Sequence, residues 1–228
     1  MLGTIVNTGT ILIGSVTGGL LKKGIKDKYK DALFNAMGFS AAVLGINSAV
    51  SNMGNSRYPV LFIVSLAIGS FIGTALDLDG RFQKLTEEKT GSSELGKGLL
   101  TGILLYCIGT LSILGPVQSA LYGDNTYLFT NATLDLFTSM VLASTYGAGM
   151  ALAAIVLFLW QGGIYLLTTL AGDIITQELM TEISVVGGIL ITASGLSILK
   201  IKDCKTLNML PSLFVAVIIY AVLQAIGI

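Results

Sequence analysis

The sequence predicts an all-α, polytopic membrane protein of about eight transmembrane helices. Three observations carry this. Charged residues make up 11% of the 228 and hydrophobic residues 53%, with a mean hydropathy of +0.82; a soluble domain carries about twice that charge fraction. The charges are bunched at Lys22–Asp31, Asp77–Lys97, Asp173–Glu182 and Lys200–Lys205, and the nearly uncharged intervals are about 20 residues or longer, the length of a helix across a bilayer. One stretch, Asn131–Gly172, holds a single charge, Asp135, and is about twice as long as one crossing needs.

The first span, Leu2–Leu21, carries Gly3, Gly9, Gly14, Gly18 and Gly19; the Gly14/Gly18 pair lets another helix approach closely in lipid. A basic linker, Lys22 to Lys30, follows. No positive residue precedes the span and lysines follow it, which suits an anchoring helix better than a cleaved signal. The second span, Leu33–Asn52, has Gly38 and Gly45 on one face, and the turn Gly54 to Pro59 opens a third, Pro59–Leu76, with a Gly69/Gly73 pair. Residues Asp77–Lys97 form a mixed-charge loop with room for a short amphipathic helix.

The fourth span runs from Gly98 to about Val117, with Pro116 at its end and a turn-rich exit to Asn125. Asn131–Gly172 is expected to fold back at Tyr146-Gly147-Ala148-Gly149, giving spans five and six. A polar link with acids only, Gly172 to Thr181, leads to the seventh span, Glu182–Leu199. After Lys200, Lys202 and Lys205, the last runs from Leu210 to Gly227.

Lysine and arginine set the orientation, because cytoplasmic loops are enriched in them. With the long stretch folded as a hairpin, the loops after spans one, three and seven face the cytoplasm. They hold Lys22, Lys23, Lys26, Lys28 and Lys30, then Arg81, Lys84, Lys89 and Lys97, then Lys200, Lys202 and Lys205, leaving Arg57 alone outside. If the stretch crossed once, the last three would move outside. The hairpin therefore fits better, with both termini outside a bacterial inner membrane. Charge parity leaves open whether it crosses fully or is re-entrant.

Spans two and three resemble spans seven and eight. A displacement of 150 sets Gly38 on Gly188 and Gly45 on Gly195, and one of 152 sets Pro59 on Pro211 and Phe62 on Phe214; more loosely, Asn7 and Gly9 match Gln161 and Gly163. Two three-helix units, 1–78 and 148–228, would then be inverted copies flanking a fourth helix and first hairpin arm at 98–147. Inverted repeats are common in secondary transporters.

Asp135 is the carboxylate deepest in an apolar stretch, by default a proton or cation site. Its alternative is capping: Asn131 or Thr133 could start the helix and place the acid in its first turn. Gln161, mid-span beside Gly162 and Gly163, must find a partner, either a facing helix or a bound solute. Ser139, Ser144 and Thr145 with Gly147 and Gly149 suit an unwound tip that coordinates an ion, or a plain tight turn. Asn7 and Asn47 are further amide candidates, and Gln118 and Asp124 could line an external vestibule.

No nucleic-acid-binding stripe exists, and Cys107 and Cys204 give neither a disulfide framework nor metal-ligand spacing. The absence of histidine removes the commonest general base and metal ligand. No catalytic residue, metal site or cofactor is expected, and the chain is not expected to be an enzyme.

The run Gly115-Pro-Val-Gln118 to Gly123-Asp124, then Leu134-Asp135, Ser139, Ala143-Ser144, Gly147-Ala-Gly149 and Gln161-Gly162, with Gly3-Thr-Ile-Val-Asn7 at the start, resembles the DUF554 family of bacterial membrane proteins over essentially the whole chain. Ala120 replaces a glycine of the family pattern, and Thr130-Asn131 stands where a lysine is often found. The resemblance implies a multi-pass membrane protein of unassigned function. Together these features lead to a secondary transporter of a small solute or ion working by alternating access. A channel of the same fold and a non-transporting scaffold or partner subunit are the alternatives. The expected partners are the lipid bilayer, a small solute or ion, and a second copy through the glycine-rich faces.

Overall fold

The structure is a computed structural model, and it describes residues 1–21, 26–81, 84, 94–108, 110–170 and 176–227. Every regular element among them is a helix: α1 (Leu2–Leu20), α2 (Asp27–Met53), α3 (Leu61–Ala75), α4 (Glu94–Ile108), α5 (Thr110–Tyr122), α6 (Thr126–Tyr146), a 3-10 turn (Ala148–Leu152), α7 (Ala153–Leu170), α8 (Gln177–Ile198), the short α9 (Thr206–Met209) and α10 (Pro211–Ala225). Among the described residues three segments are long and apolar enough to cross a bilayer, Ala148–Leu170, Gln177–Ile198 and Thr206–Ala225, with Leu61–Ala75 a shorter apolar helix. α1 and α6, at 19 and 21 residues, have spanning length but carry amide, hydroxyl and carboxyl side chains. In the Asp77–Lys97 loop, residues 78–81 and 84 are helical, where a short amphipathic helix is expected, and residues 82, 83 and 85–93 lie outside the described residues.

Several boundaries differ from the sequence expectation. α2 begins at Asp27, so part of the basic linker is helical. The fourth span is described as α4 and α5 on either side of residue 109, and helix continues through Pro116 to Tyr122. A proline inside a helix removes one backbone donor, here the i+4 partner of the Ser112 carbonyl, and bends the helix without ending it.

The chain divides into two compact units, Met1–Phe34 with Gln83–Gly172, and Asn35–Phe82 with Asp173–Ile228. Each draws on both halves of the sequence. The segments matched in the sequence fall together: α2 from Asn35 onward with α8 in the second unit, and the more loosely matched α1 and α7 in the first.

In the first unit α1 runs parallel to α6. Gly3 meets Leu128, Gly14 meets Ser139 and the Leu136 carbonyl, and Gly18 meets the Met140 carbonyl. Without side chains at these positions the two backbones touch, the contact that drives helix association where water is absent. Asn125 anchors the end where both helices start: its Oδ1 accepts from the Gly3 amide (3.1 Å) and the Ser119 hydroxyl (2.8 Å). At the other end α6 stops at Gly147, whose φ of +94° a side chain would strain. The turn beyond it places Ala148 against Gly19 in the last turn of α1.

In the second unit α2 and α8 cross antiparallel through four glycines, with Gly38 against Gly195 and Gly45 against Gly188. α3 lies on α9 and α10, Gly69 against Ser212 and Gly73 against Asn208. The polar groups gather at its two ends. At one, Glu182 is buried and accepts from the Ser56 hydroxyl (2.8 and 2.9 Å) and the Tyr58 amide (3.2 Å). Beside it exposed Glu178 accepts from Arg57, Tyr220 and Gln224 (3.2, 3.2 and 3.3 Å). The bond to Glu178 raises the Arg57 guanidinium pKa above its ordinary value. At the other end, Asn208 Oδ1 accepts from the Asp79 amide at 2.8 Å.

Candidate functional site

Asp135 lies in the third turn of α6, because that helix starts at Thr126. Neither Asn131 nor Thr133 begins the helix, so the first-turn capping reading of Asp135 is corrected. The start is secured instead by Asp124, whose carboxylate accepts from the Thr126 amide (2.9 Å) and hydroxyl (2.7 Å). Asp135 itself is 5% exposed. Its Oδ2 accepts from Asn131 Nδ2 at 2.9 Å, one helical turn earlier.

Three elements bring polar groups to this carboxyl. From α1, the Asn7 side chain reaches Asp135, although its Nδ2 sits outside hydrogen-bond geometry with any partner. From α4, the fully buried Tyr106 approaches both Asp135 and Ser139, and its hydroxyl too lacks a partner in hydrogen-bond geometry. Cys107 beside it is buried and free. From α6, Ser139 is buried and donates to the Leu136 carbonyl at 3.0 Å. An apolar layer of Ile11, Tyr106, Cys107, Ala153, Ala154 and Leu157 packs next to the group.

Gln161 is fully buried in α7 and donates through Nε2 to Ser112 Oγ at 2.9 Å, while its Oε1 has no partner. Thr4 and Ser15 of α1 add two more buried hydroxyls without partners. Each unmet buried polar group costs about 1–3 kcal/mol, so this set is expensive for a purely structural interior.

The depth of these groups follows from the contacts at the hairpin turn. Gly19 packs on Ala148, Leu95 on Gly149, and α6 ends at Tyr146. Gln161 is level with Ser112, past Tyr106 in the chain, while Asn7, Tyr106 and Asp135 lie roughly eleven or twelve residues from the turn, about 17 Å at 1.5 Å per residue. These three form one polar layer near half the thickness of a hydrocarbon core.

The other sequence candidates fall elsewhere. Ser144 and Thr145 bond back to the Val141 carbonyl (2.7 and 3.5 Å), and Gly147 and Gly149 form the hairpin turn, with Gly149 against Leu95. Gln118 is half-buried on α5 and Asp124 exposed at the α5–α6 turn. Asn47 is exposed on α2 in the second unit, where its Oδ1 accepts from Ser51. Tyr106, Asn125 and Ser112 were not singled out from sequence. No group of three or more metal-ligating side chains occurs among the described residues.

A helical chain with glycine-packed apolar helices and buried polar residues at mid-length is a membrane protein. The chain belongs to the family described as "Protein of unknown function (DUF554)", which it matches over residues 2–221. It is 55% identical over 228 residues to "Uncharacterized membrane protein YdfK" of Bacillus subtilis (strain 168), covering 100% of this chain and 99% of that one. It is 26% identical over 226 residues to "Uncharacterized protein YqgA" of Escherichia coli (strain K12), covering 95% and 94%. No solved structure matches.

Proposed function

We propose that this protein is a secondary transporter of a small solute or ion that works by alternating access, with its site in the polar layer of the first unit. The observation that carries the reading is the convergence of Asn7 and Tyr106 on Asp135, with Gln161 buried elsewhere in the same unit, all but Asp135 with hydrogen-bonding capacity unused. In an apolar surround such groups are costly unless a permeating species meets them in turn. The role involves no catalysis and no nucleic acid.

The proposed threading is eight crossings in a bacterial inner membrane, with both termini outside and two inverted three-helix units. Support comes from the parallel run of α1 and α6, with the 147–152 turn beside the end of α1 that leads to Lys22 and Lys23. It comes also from the second unit, where Gly38 of α2 meets Leu199 at the end of α8 and Gly73 near the end of α3 meets Asn208 of α9. The α2–α8 crossing adds a further argument: under the 150-residue displacement, the contact Gly38–Gly195 becomes Gly188–Gly45, which is the other contact observed. Two inverted copies packed on each other have this self-complementary form.

The test is flux into proteoliposomes containing the purified protein, screened over small ions, amino acids and organic acids. Saturable uptake that depends on Asp135 and Gln161 supports the reading. Absence of flux for every solute, with no conformational response to ion gradients, rejects it.

A further inference from the structure

We propose that Asp135, with Asn7 and Tyr106, holds a single monovalent cation, a proton or an alkali-metal ion, that serves as the coupling ion of the transporter. The coupling role rests on the transport reading; the binding site stands on its own geometry.

The charge balance comes first. Asp135 is buried between α1, α4 and α6, and the groups around it are an amide from α1 (Asn7), a phenol and a thiol from α4 (Tyr106 and Cys107), and an amide and a hydroxyl from α6 itself (Asn131 and Ser139). None is cationic. α1 contains no titratable side chain, and the only one on α5, Tyr122, ends that helix beside Gly123. None of these groups offers an ionised Asp135 carboxylate a positive charge, and one positive charge neutralises the site. A divalent ion would leave a net charge buried, and no group of three or more metal-ligating side chains occurs among the described residues.

The ligand chemistry comes second. Asn7 offers an amide oxygen and an NH2 on one rotatable group. It can donate to an ionised Asp135, and after rotation accept from the protonated acid. Protonation converts the Asp135 carboxylate plus one proton into the carboxylic acid, with no other bond made or broken. An alkali cation would instead sit among the carboxylate, the Asn7 amide oxygen and the Tyr106 and Ser139 hydroxyls, all hard oxygen donors. The unmet Nδ2 of Asn7 and hydroxyl of Tyr106, both on fully buried side chains, are the expected remainder of a site shaped for two occupancy states.

The experiment uses the full-length protein in detergent and, in parallel, in liposomes. Thermal unfolding is followed while sodium, potassium or lithium chloride replaces choline chloride at constant ionic strength. Infrared difference spectra between acidic and alkaline buffers report the carboxylic-acid C=O stretch. If an alkali ion is bound, one of these salts raises the melting temperature of the natural protein but not of Asp135→Asn. If a proton is bound, a titrating C=O band is present and is lost in Asp135→Asn, while the salts act alike. Asn7→Ala provides a second variant should Asp135→Asn fold poorly: it shifts the midpoint of the band or weakens the salt effect several-fold. The proposal is overturned if no salt stabilises the protein selectively and no titrating carboxyl band depends on Asp135 or Asn7. A band or salt effect without any solute flux would leave the site in place and remove the transport reading. Flux that Asp135→Asn leaves unchanged would remove the coupling role.

Discussion

The carbonyl oxygen of Gly188 occupies the place where a Cβ on Gly45 would stand, and the carbonyl oxygen of Gly45 does the same to Gly188. A side chain on either helix would have to push the other backbone away. Gly188→Leu is expected to destabilise the protein by about 1–3 kcal/mol or more, as overpacking of a tight contact does. In a chain of this size that lowers the melting temperature by roughly 2–4 °C per kcal/mol. Gly163→Ala is the matched control, since a Cβ there meets nothing within 4 Å, and it should leave the melting curve unmoved. Fluorescence-detected thermal unfolding in detergent checks both.

Glu182 and Glu178 are one turn apart on α8 and should behave differently. Glu182 is 1% exposed and holds the Ser56 hydroxyl and the Tyr58 amide. Glu182→Ala leaves both donors without their buried acceptor and should cost about 1–3 kcal/mol. Glu178 is paired with Arg57 across exposed side chains, and Glu178→Ala should cost about 1 kcal/mol or less. Comparing the two melting temperatures tests the contrast.

Labelling of the hairpin turn should be one-sided. In a background carrying Cys107→Ala and Cys204→Ser, Ala148→Cys is expected to react with an impermeant maleimide only from the cytoplasmic face. Asp124→Cys, at the α5–α6 turn, should react only from outside. Reaction of Ala148→Cys from the outside would overturn the proposed full crossing.

Asp135→Asn should keep the volume of the buried side chain and remove its charge. The expected result is a folded protein whose solute flux falls by about tenfold or more, equivalent to roughly 1.4 kcal/mol in the limiting step. Gln161→Ala, which strands Ser112 Oγ, should lower flux as well. Size-exclusion profiles and initial uptake rates separate loss of fold from loss of transport.

Much of this arrangement could be read from residue types. The hairpin break was legible because Gly147-Ala-Gly149 interrupts an apolar run too long for one helix, and the helix does stop at Tyr146. The packing glycines of α2 and α8 showed in their seven-residue spacing. What was missed lies where a residue's local meaning differs from its packed one. Asp124-Asn125-Thr126 reads as loop, but Asp124 caps α6 and Asn125 ties α6 to α1 and α5, so the helix starts five residues before Asn131. That shift turns Asp135 from a first-turn acid into a buried one. Pro116 reads as a terminator, yet α5 runs past it. Tyr106 was unmarked because a tyrosine in an apolar span gives no sign of which face it occupies; only the packing of α4 on α6 turns it toward Asp135.

The composition of the second unit also bears on how the protein is made. Its helices come from two distant parts of the chain, Asn35–Phe82 and Asp173–Ile228. The ribosome therefore finishes Gly38 and Gly45 roughly 150 residues before their partners Gly195 and Gly188, a wait of about 10–30 s at ordinary elongation speed. Through that interval the notched face of α2 has none of its final neighbours from α8. Nascent chains halted before residue 188 should therefore be the ones seized by membrane chaperones and proteases, and chains released after α8 has inserted should escape them.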